Sequence, residues 1–143
     1  ELHVPFIINQ NRYSIFDRTI ENNGLKAMAA RLHKGIITFS PLAQGLLTNR
    51  YLQGIPADSR VRTDGRFLKE KDITPEKIAQ INALNDIAQA RGQTPAEMAL
   101  GHDEITTVLI GASKTSQILD NIKAVQNTSF TAEELEAIDR ISK

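Results

Sequence analysis

The chain has 143 residues, Lys+Arg and Asp+Glu both total 17, and the formal net charge is zero; this balance gives no electrostatic reason to expect nucleic acid or an anionic membrane as a partner. Hydrophobic residues make up 41% and charged residues 24%, a globular composition long enough for one ordinary domain with a sizeable core. There is no Cys, which excludes disulfides, thiolate catalysis and Cys-ligated metals within this sequence, and no apolar run approaches the roughly 20 residues of a membrane span. The lack of Cys is compatible with the cytoplasm, the expected location. The chain begins at Glu1 rather than Met, and a processed product or a fragment is expected.

Val4-Pro5-Phe6-Ile7-Ile8 is a short apolar run ending at Asn9-Gln10, and it reads as a buried strand. Asn11-Arg12-Tyr13-Ser14 reads as a polar exit. Ile20, Leu25, Met28, Ala29 and Leu32 keep a three-to-four spacing that predicts an amphipathic helix over about 19–33, with Gly35 as its stop. Ile36 to Phe39 is the second strand. Strand, helix and strand with tight turns make a parallel βαβ unit. Phe39-Ser40-Pro41-Leu42-Ala43-Gln44-Gly45 then breaks the strand, and no helical pattern resumes until about Thr74. A connection as long as 41–73, with its Gly, Pro, Arg and Lys residues, is a binding loop or disorder.

Thr74-Pro75 starts the next helix, with a hydroxyl cap, Pro at the first helical position, and Ile73 and Ile78 at staple positions. Its inward stripe is Ile78, Ile81, Leu84, Ile87 and Ala88, to about Arg91-Gly92. Thr94-Pro95-Ala96-Glu97 is a capping box whose helix is cut short at Leu100-Gly101. Thr106 to Ile110 is a third, β-branched strand. Gly111-Ala112-Ser113 leads into a helix over about 115–126, and the Thr131 capping box opens the last helix, over about 132–142. The expectation is α/β, with about three parallel strands and five helices in one domain over 1–143. Three strands leave two unpaired edges, and these call for further strands or a covering partner.

Several residues carry candidate chemistry, each with a plainer alternative. Asn9-Gln10 at a strand end could recognise a carboxamide or satisfy its own loop. Phe39 could stack on a flat heterocycle or belong to the core. Ser40 and Gln44 could bond a ligand or be ordinary loop polarity. Gly111-Ala112-Ser113 before a helix suits an approaching phosphate or is a tight turn. Gln117, Asp120 and Asn121 share one helical face, either solvated or lining an adenine and ribose site. Arg50 and Arg60 could fold over a pyrophosphate or stay solvated. His3, His33 and His102 show no metal-ligand spacing, and no metal site is expected.

In order along the chain, Asn9-Gln10, the 39–45 segment, Gly54-Ile55-Pro56-Ala57-Asp58-Ser59-Arg60, Leu109-Ile110-Gly111-Ala112-Ser113, Gln117 and Asp120-Asn121 resemble the carboxyl-terminal half of an aldo-keto reductase. The branch is similar to bacterial glyceraldehyde-3-phosphate/methylglyoxal reductase-like members related to potassium-channel β-subunits. The resemblance covers essentially the whole chain. It implies the carboxyl-terminal part of a (β/α)8 TIM barrel that uses NADPH, bound along the 41–73 loop, to reduce aldehydes and ketones.

By that resemblance, Gln10 would hold the nicotinamide carboxamide and Phe39 would stack on the ring. Ser40, Leu42, Gln44 and Arg50, with Pro41 between them, would line the pyrophosphate. Arg60, Ser113 and Gln117 would lie near the 2′-phosphate, and Asp120 and Asn121 near the adenine. Gly111 stands where many members carry a Lys, which bears on the preference for NADP(H) over NAD. The family's catalytic Asp, Tyr, Lys and His come from its amino-terminal half, so no catalytic residue is expected in this chain. Tyr13 and Tyr51 do not match the proton-donating Tyr.

Three readings follow: the cofactor half of an aldehyde reductase, inactive alone; a nucleotide-binding or regulatory half-barrel without chemistry; and a structural remnant. A small carbonyl substrate, and either a missing amino-terminal half or self-association, are the expected partners.

Overall fold

The computed structural model describes residues 7–102 and 105–143, apart from the side chains of Arg60 and Thr63. His3 and residues 4–6 of the expected first strand lie outside the described residues, as do Asp103 and Glu104 of the segment after the shortened helix.

Three parallel strands, β1 (Ile8–Arg12), β2 (Gly35–Phe39) and β3 (Thr107–Val108), form one sheet in the order β1-β2-β3. β1 extends beyond the apolar run that marks it in the sequence. Ile8 through Arg12 pair in unbroken register with Gly35 through Phe39, and Tyr13 N donates to Phe39 O at 3.3 Å. Asn9 and Gln10 are strand, as expected, and Asn11 and Arg12, read from the sequence as the start of a polar exit, are strand as well. Backbone pairing decides the element here, because each buried N–H and C=O needs a partner whatever its side chain. Alternation puts Ile8, Gln10 and Arg12 on one face, beside Gly35, Ile37 and Phe39. Ile36 and Thr38 point the other way and are buried.

The helix expected over 19–33 is two: α1 (Thr19–Asn22) and α2 (Leu25–Arg31). Gly24 takes φ 80° between them, and Asn23 Oδ1 accepts from Leu25 N at 3.0 Å to start α2. Asn-Gly is a turn signal that outweighs the apolar spacing. Ile20 and Ala29 still pack with Tyr13 and Ile36, as one helix would have done. Gly35 is not the helix stop. It opens β2, where a Cβ would meet Ile8 Cγ1 at 3.1 Å and Thr106 Oγ1 at 3.3 Å.

The long connection after β2 is neither featureless nor detached. It holds a one-turn helix α3 (Arg60–Thr63) and 3₁₀ turns at 43–45, 49–51 and 70–72. Leu46, Tyr51 and Val61 bury themselves with Ile81, and Ile73 and Ile78 pack on the same cluster. Tyr51 Oη and Ser59 Oγ, both buried, share a hydrogen bond of 2.7 Å.

The remaining helices are α4 (Pro75–Ala90), α5 (Pro95–Gly101), α6 (Thr115–Asn121, continuing as 3₁₀ to Gln126) and α7 (Ala132–Ser142). The expected caps are present. Thr74, Thr94 and Thr131 each accept from the N–H three residues on, at 3.2 Å, contacts worth about 1 kcal/mol apiece. Ile15, Leu47, Leu84, Ala88, Met98 and Ile138 form the main core, with Phe130 against it. The described residues thus contain seven α-helices, where five were expected. The split at Gly24 and the turn at 60–63 account for the difference.

β3 is shorter than the Thr106–Ile110 expected. It pairs on one side, Thr107 with Ile37 and Val108 with Thr38, and the ladder ends at Thr38, one residue before β2 does. Thr106 contributes its side chain instead, Oγ1 accepting from Ile36 N at 3.1 Å. Among the described residues the outer edges of β1 and β3 have no strand beside them, and Ile7, Ile8, Leu109 and Ile110 are exposed.

Candidate functional site

The carboxyl end of β2 is the geometric centre of the site. Phe39 closes the strand at 39% exposure, unusual for a ring at the end of an otherwise apolar strand. Directly after it the backbone departs from ordinary geometry. Ser40, Ala43 and Gln44 have φ of 56°, 47° and 60°. L-residues with side chains seldom occupy this left-handed region, and each such residue costs on the order of 1 kcal/mol or more. Gln44 Nε2 donates to Ser40 Oγ at 3.1 Å across the turn.

A cavity of about 670 Å³ opens beside this turn, lined by Gln10, Asn11, Arg12, Phe39, Ser40, Gln44 and Phe67. That volume is within the ordinary range for a small-molecule site. The structure therefore brings together four of the residues singled out from the sequence: Gln10, Phe39, Ser40 and Gln44.

The others stand elsewhere. Pro41 is buried, and half-buried Leu42 packs on the main core. Arg50 Nη2 pairs with Asp58 Oδ1 at 2.8 Å, holding the connection to itself. Arg60 lies in α3. Gly111 and Ser113 leave β3 toward α6, where Gln117 Oε1 accepts from Ser113 N at 2.8 Å, Lys114 N at 3.2 Å and Ser113 Oγ at 3.3 Å. The donors that a phosphate would use at this turn are spent on Gln117. Asp120 pairs with Lys123 at 2.9 Å, and Asn121 ends α6. Among the described residues no group of three His, Asp or Glu side chains is arranged to hold a metal ion.

The sequence matches the Aldo/keto reductase family over residues 1–143. The chain belongs to the aldo/keto reductase family. It is 41% identical to L-glyceraldehyde 3-phosphate reductase of Escherichia coli (strain K12), over 98% of this chain and 42% of that protein. It is 33% identical to a putative voltage-gated potassium channel subunit beta of Schizosaccharomyces pombe, over 94% of this chain and 42% of that one. The chain thus spans about two fifths of the length of the curated relatives it matches. Among solved structures, the apo form of an aldo-keto reductase from Bacillus halodurans superposes with a TM-score of 0.71 at 26% identity, covering 99% of this chain and 45% of that one. The three-stranded parallel sheet with its helices is a partial aldo/keto reductase barrel.

Three cavity residues of this aldo/keto reductase chain were not singled out from its sequence. Asn11 and Arg12 were assigned to a polar exit. The β1–β2 register sets Arg12 opposite Phe39 on the same face, a placement that local spacing does not encode. Phe67 stands 74% exposed in the turn after α3, with the Arg66 guanidinium 5.8 Å from its ring centroid. Only the folding of the long connection brings it to the rim. Arg12 is held by Asp17, Nε to Oδ2 at 2.5 Å. Burial pushes the Asp17 carboxyl up, but hydrogen bonds from Thr19 and Arg12 outweigh it and keep the group below its ordinary range.

Proposed function

We propose that this chain is the carboxyl-terminal, cofactor-holding portion of an NADPH-dependent aldehyde reductase and that its 143 residues form one partial barrel domain. The observation that carries the reading is the cavity at the end of β2, where an exposed aromatic, an amide and a hydroxyl converge beside a strained turn. These groups fit a nicotinamide nucleotide. Phe39 offers a flat apolar face to the ring, and Gln10 an amide that can both donate to and accept from a carboxamide. The Ser40–Gly45 turn lets backbone approach a phosphate. When bound, the cofactor supplies the hydride for carbonyl reduction. Gln117 gives up its hydrogen bonds to Ser113 and Lys114 if those donors are to meet the 2′-phosphate, so selectivity for NADPH over NADH depends on that exchange.

The side chains lining the cavity are amides, a hydroxyl, two phenyl rings and an arginine. None readily releases a proton near neutral pH. We infer that the proton for a reduced aldehyde comes from residues outside this chain, and that these 143 residues alone do not turn over. The expected partners are a small aldehyde and the remainder of a barrel, or a second copy, along the open strand edges. The expected compartment is the cytoplasm; no helix of the described residues is long and apolar enough to cross a membrane.

A second reading, a nucleotide-binding module that regulates rather than reduces, is favoured by the similarity to a putative channel subunit beta. Two measurements separate them. Calorimetric titration with NADPH should show saturable binding, and its absence overturns both. Oxidation of NADPH by methylglyoxal should be undetectable for the chain alone. It should appear on adding the remainder of the barrel if the first reading holds, and stay absent if the second does.

A further inference from the structure

We infer that Arg12 is the anchor for an anionic group on the carbonyl substrate, so that the site selects aldehydes and ketones carrying a phosphate or carboxylate. The inference rests on the cofactor reading above, because it places the anchor beside the Phe39 platform. Four observations support it. Arg12 is the last residue of β1, and its register partner is Phe39, the last residue of β2. Partners in adjacent strands lie about 5 Å apart, and both line the same cavity. The Arg12 side chain is 66% exposed.

The fourth observation is how the guanidinium is held. Nε is spent on Asp17 Oδ2, and among the described residues the two terminal nitrogens carry no hydrogen bond or ion pair. Both oxygens of the Asp17 carboxylate are engaged: Oδ2 accepts from Arg12 Nε, and Oδ1 from Thr19 N at 3.2 Å and Thr19 Oγ1 at 2.7 Å. Asp17 therefore acts as a brace. It fixes one edge of the guanidinium and leaves the other edge, two parallel N–H donors, available to the cavity. A planar fork of this kind matches a phosphate or carboxylate bidentately, and a lysine in its place would act as a point charge. A structural arginine serving only to cap the turn through Asp17 would have no reason to line the cavity or to sit opposite the platform.

The anion could instead be the nucleotide's own pyrophosphate, and the experiment separates the two sources. Dihydroxyacetone phosphate and uncharged dihydroxyacetone are titrated calorimetrically into the full chain, with and without saturating NADP+, and NADP+ is titrated alone. The expected wild-type result is at least tenfold tighter binding of the phosphate compound. In Arg12→Gln that ratio should fall to about one to two, while NADP+ affinity changes less than twofold. Arg12→Lys should restore part of the ratio. Circular dichroism and urea denaturation of each variant check that the overall fold and its stability are retained. A wild-type ratio near one, with or without nucleotide, overturns the inference, as does a ratio unchanged in Arg12→Gln. A loss confined to NADP+ affinity assigns Arg12 to the cofactor and also overturns it. If NADP+ fails to bind while the phosphate ratio still depends on Arg12, the cofactor reading fails and the anion anchor stands.

Discussion

The helical layer and the rim of the sheet are built by opposite rules. Around α4, α5 and α7, caps are filled, side chains are buried and polar groups are paired. Arg91 shows this most clearly. With 5% of its side chain exposed, it pairs with Glu134 at 2.6 Å and donates to Gln93 at 2.8 Å and to Ser129 O at 2.9 Å. Its guanidinium also lies 3.7 Å from the centroid of the Phe130 ring. At the rim, three non-glycine residues take left-handed backbone, Phe39 and Phe67 stand out to solvent, and Arg12 has one unused edge. The first region stores stability. The second spends some of it to hold groups in position for a ligand, a division common at functional sites.

That contrast can be broken from either side. Arg91→Ala should have the largest effect, a loss of about 2–4 kcal/mol, because it removes several charge-assisted hydrogen bonds from a buried group at once. Urea denaturation should read it, with NADPH affinity unchanged below the transition. Phe39→Ala should do the reverse, weakening NADPH binding about tenfold through lost stacking and ring burial while shifting the urea midpoint little. Gln44→Gly relieves one left-handed side chain and should raise stability by about 0.5–1 kcal/mol. It should also weaken nucleotide binding about two- to fivefold, since the turn then has more freedom to lose on binding.

The smallest effect concerns pH. Hydrogen bonding to Thr131 N, and then the Arg91 pair, hold the Glu134 carboxyl below its ordinary value of 4.5, against the opposing effect of burial. A carboxyl lowered in the folded state stabilises fully above its unfolded value and less as pH falls through the folded one. Stability should therefore drop as pH is taken below about 4.5. Glu134→Gln keeps an amide able to fill the capping box and should flatten that part of the profile in acid denaturation.

The two regions also differ in how legible they are in the sequence. The caps at Thr74, Thr94 and Thr131 could be read directly, because a cap is a contact across three residues. The end of β2 at Phe39 was legible for the same reason, a proline two residues on. The split at Gly24 was missed because apolar spacing continues across it in space. Asn11 and Arg12 were misplaced because their part of the strand is defined by the neighbour it pairs with. Phe67 and Arg12 reach the cavity only through long-range folding and strand register, which local spacing does not encode. The grouping of Gln10, Phe39, Ser40 and Gln44 became readable through family resemblance, which supplies the long-range contacts a single sequence lacks.

The most direct test of the account is to titrate the chain into NADPH and follow nicotinamide fluorescence, comparing wild type, Phe39→Ala and Arg91→Ala at a temperature where all three are folded. The account predicts a saturable change for wild type and Arg91→Ala with the same midpoint, and a midpoint about tenfold higher for Phe39→Ala. Equal midpoints for wild type and Phe39→Ala, or no saturable change in wild type, would contradict it.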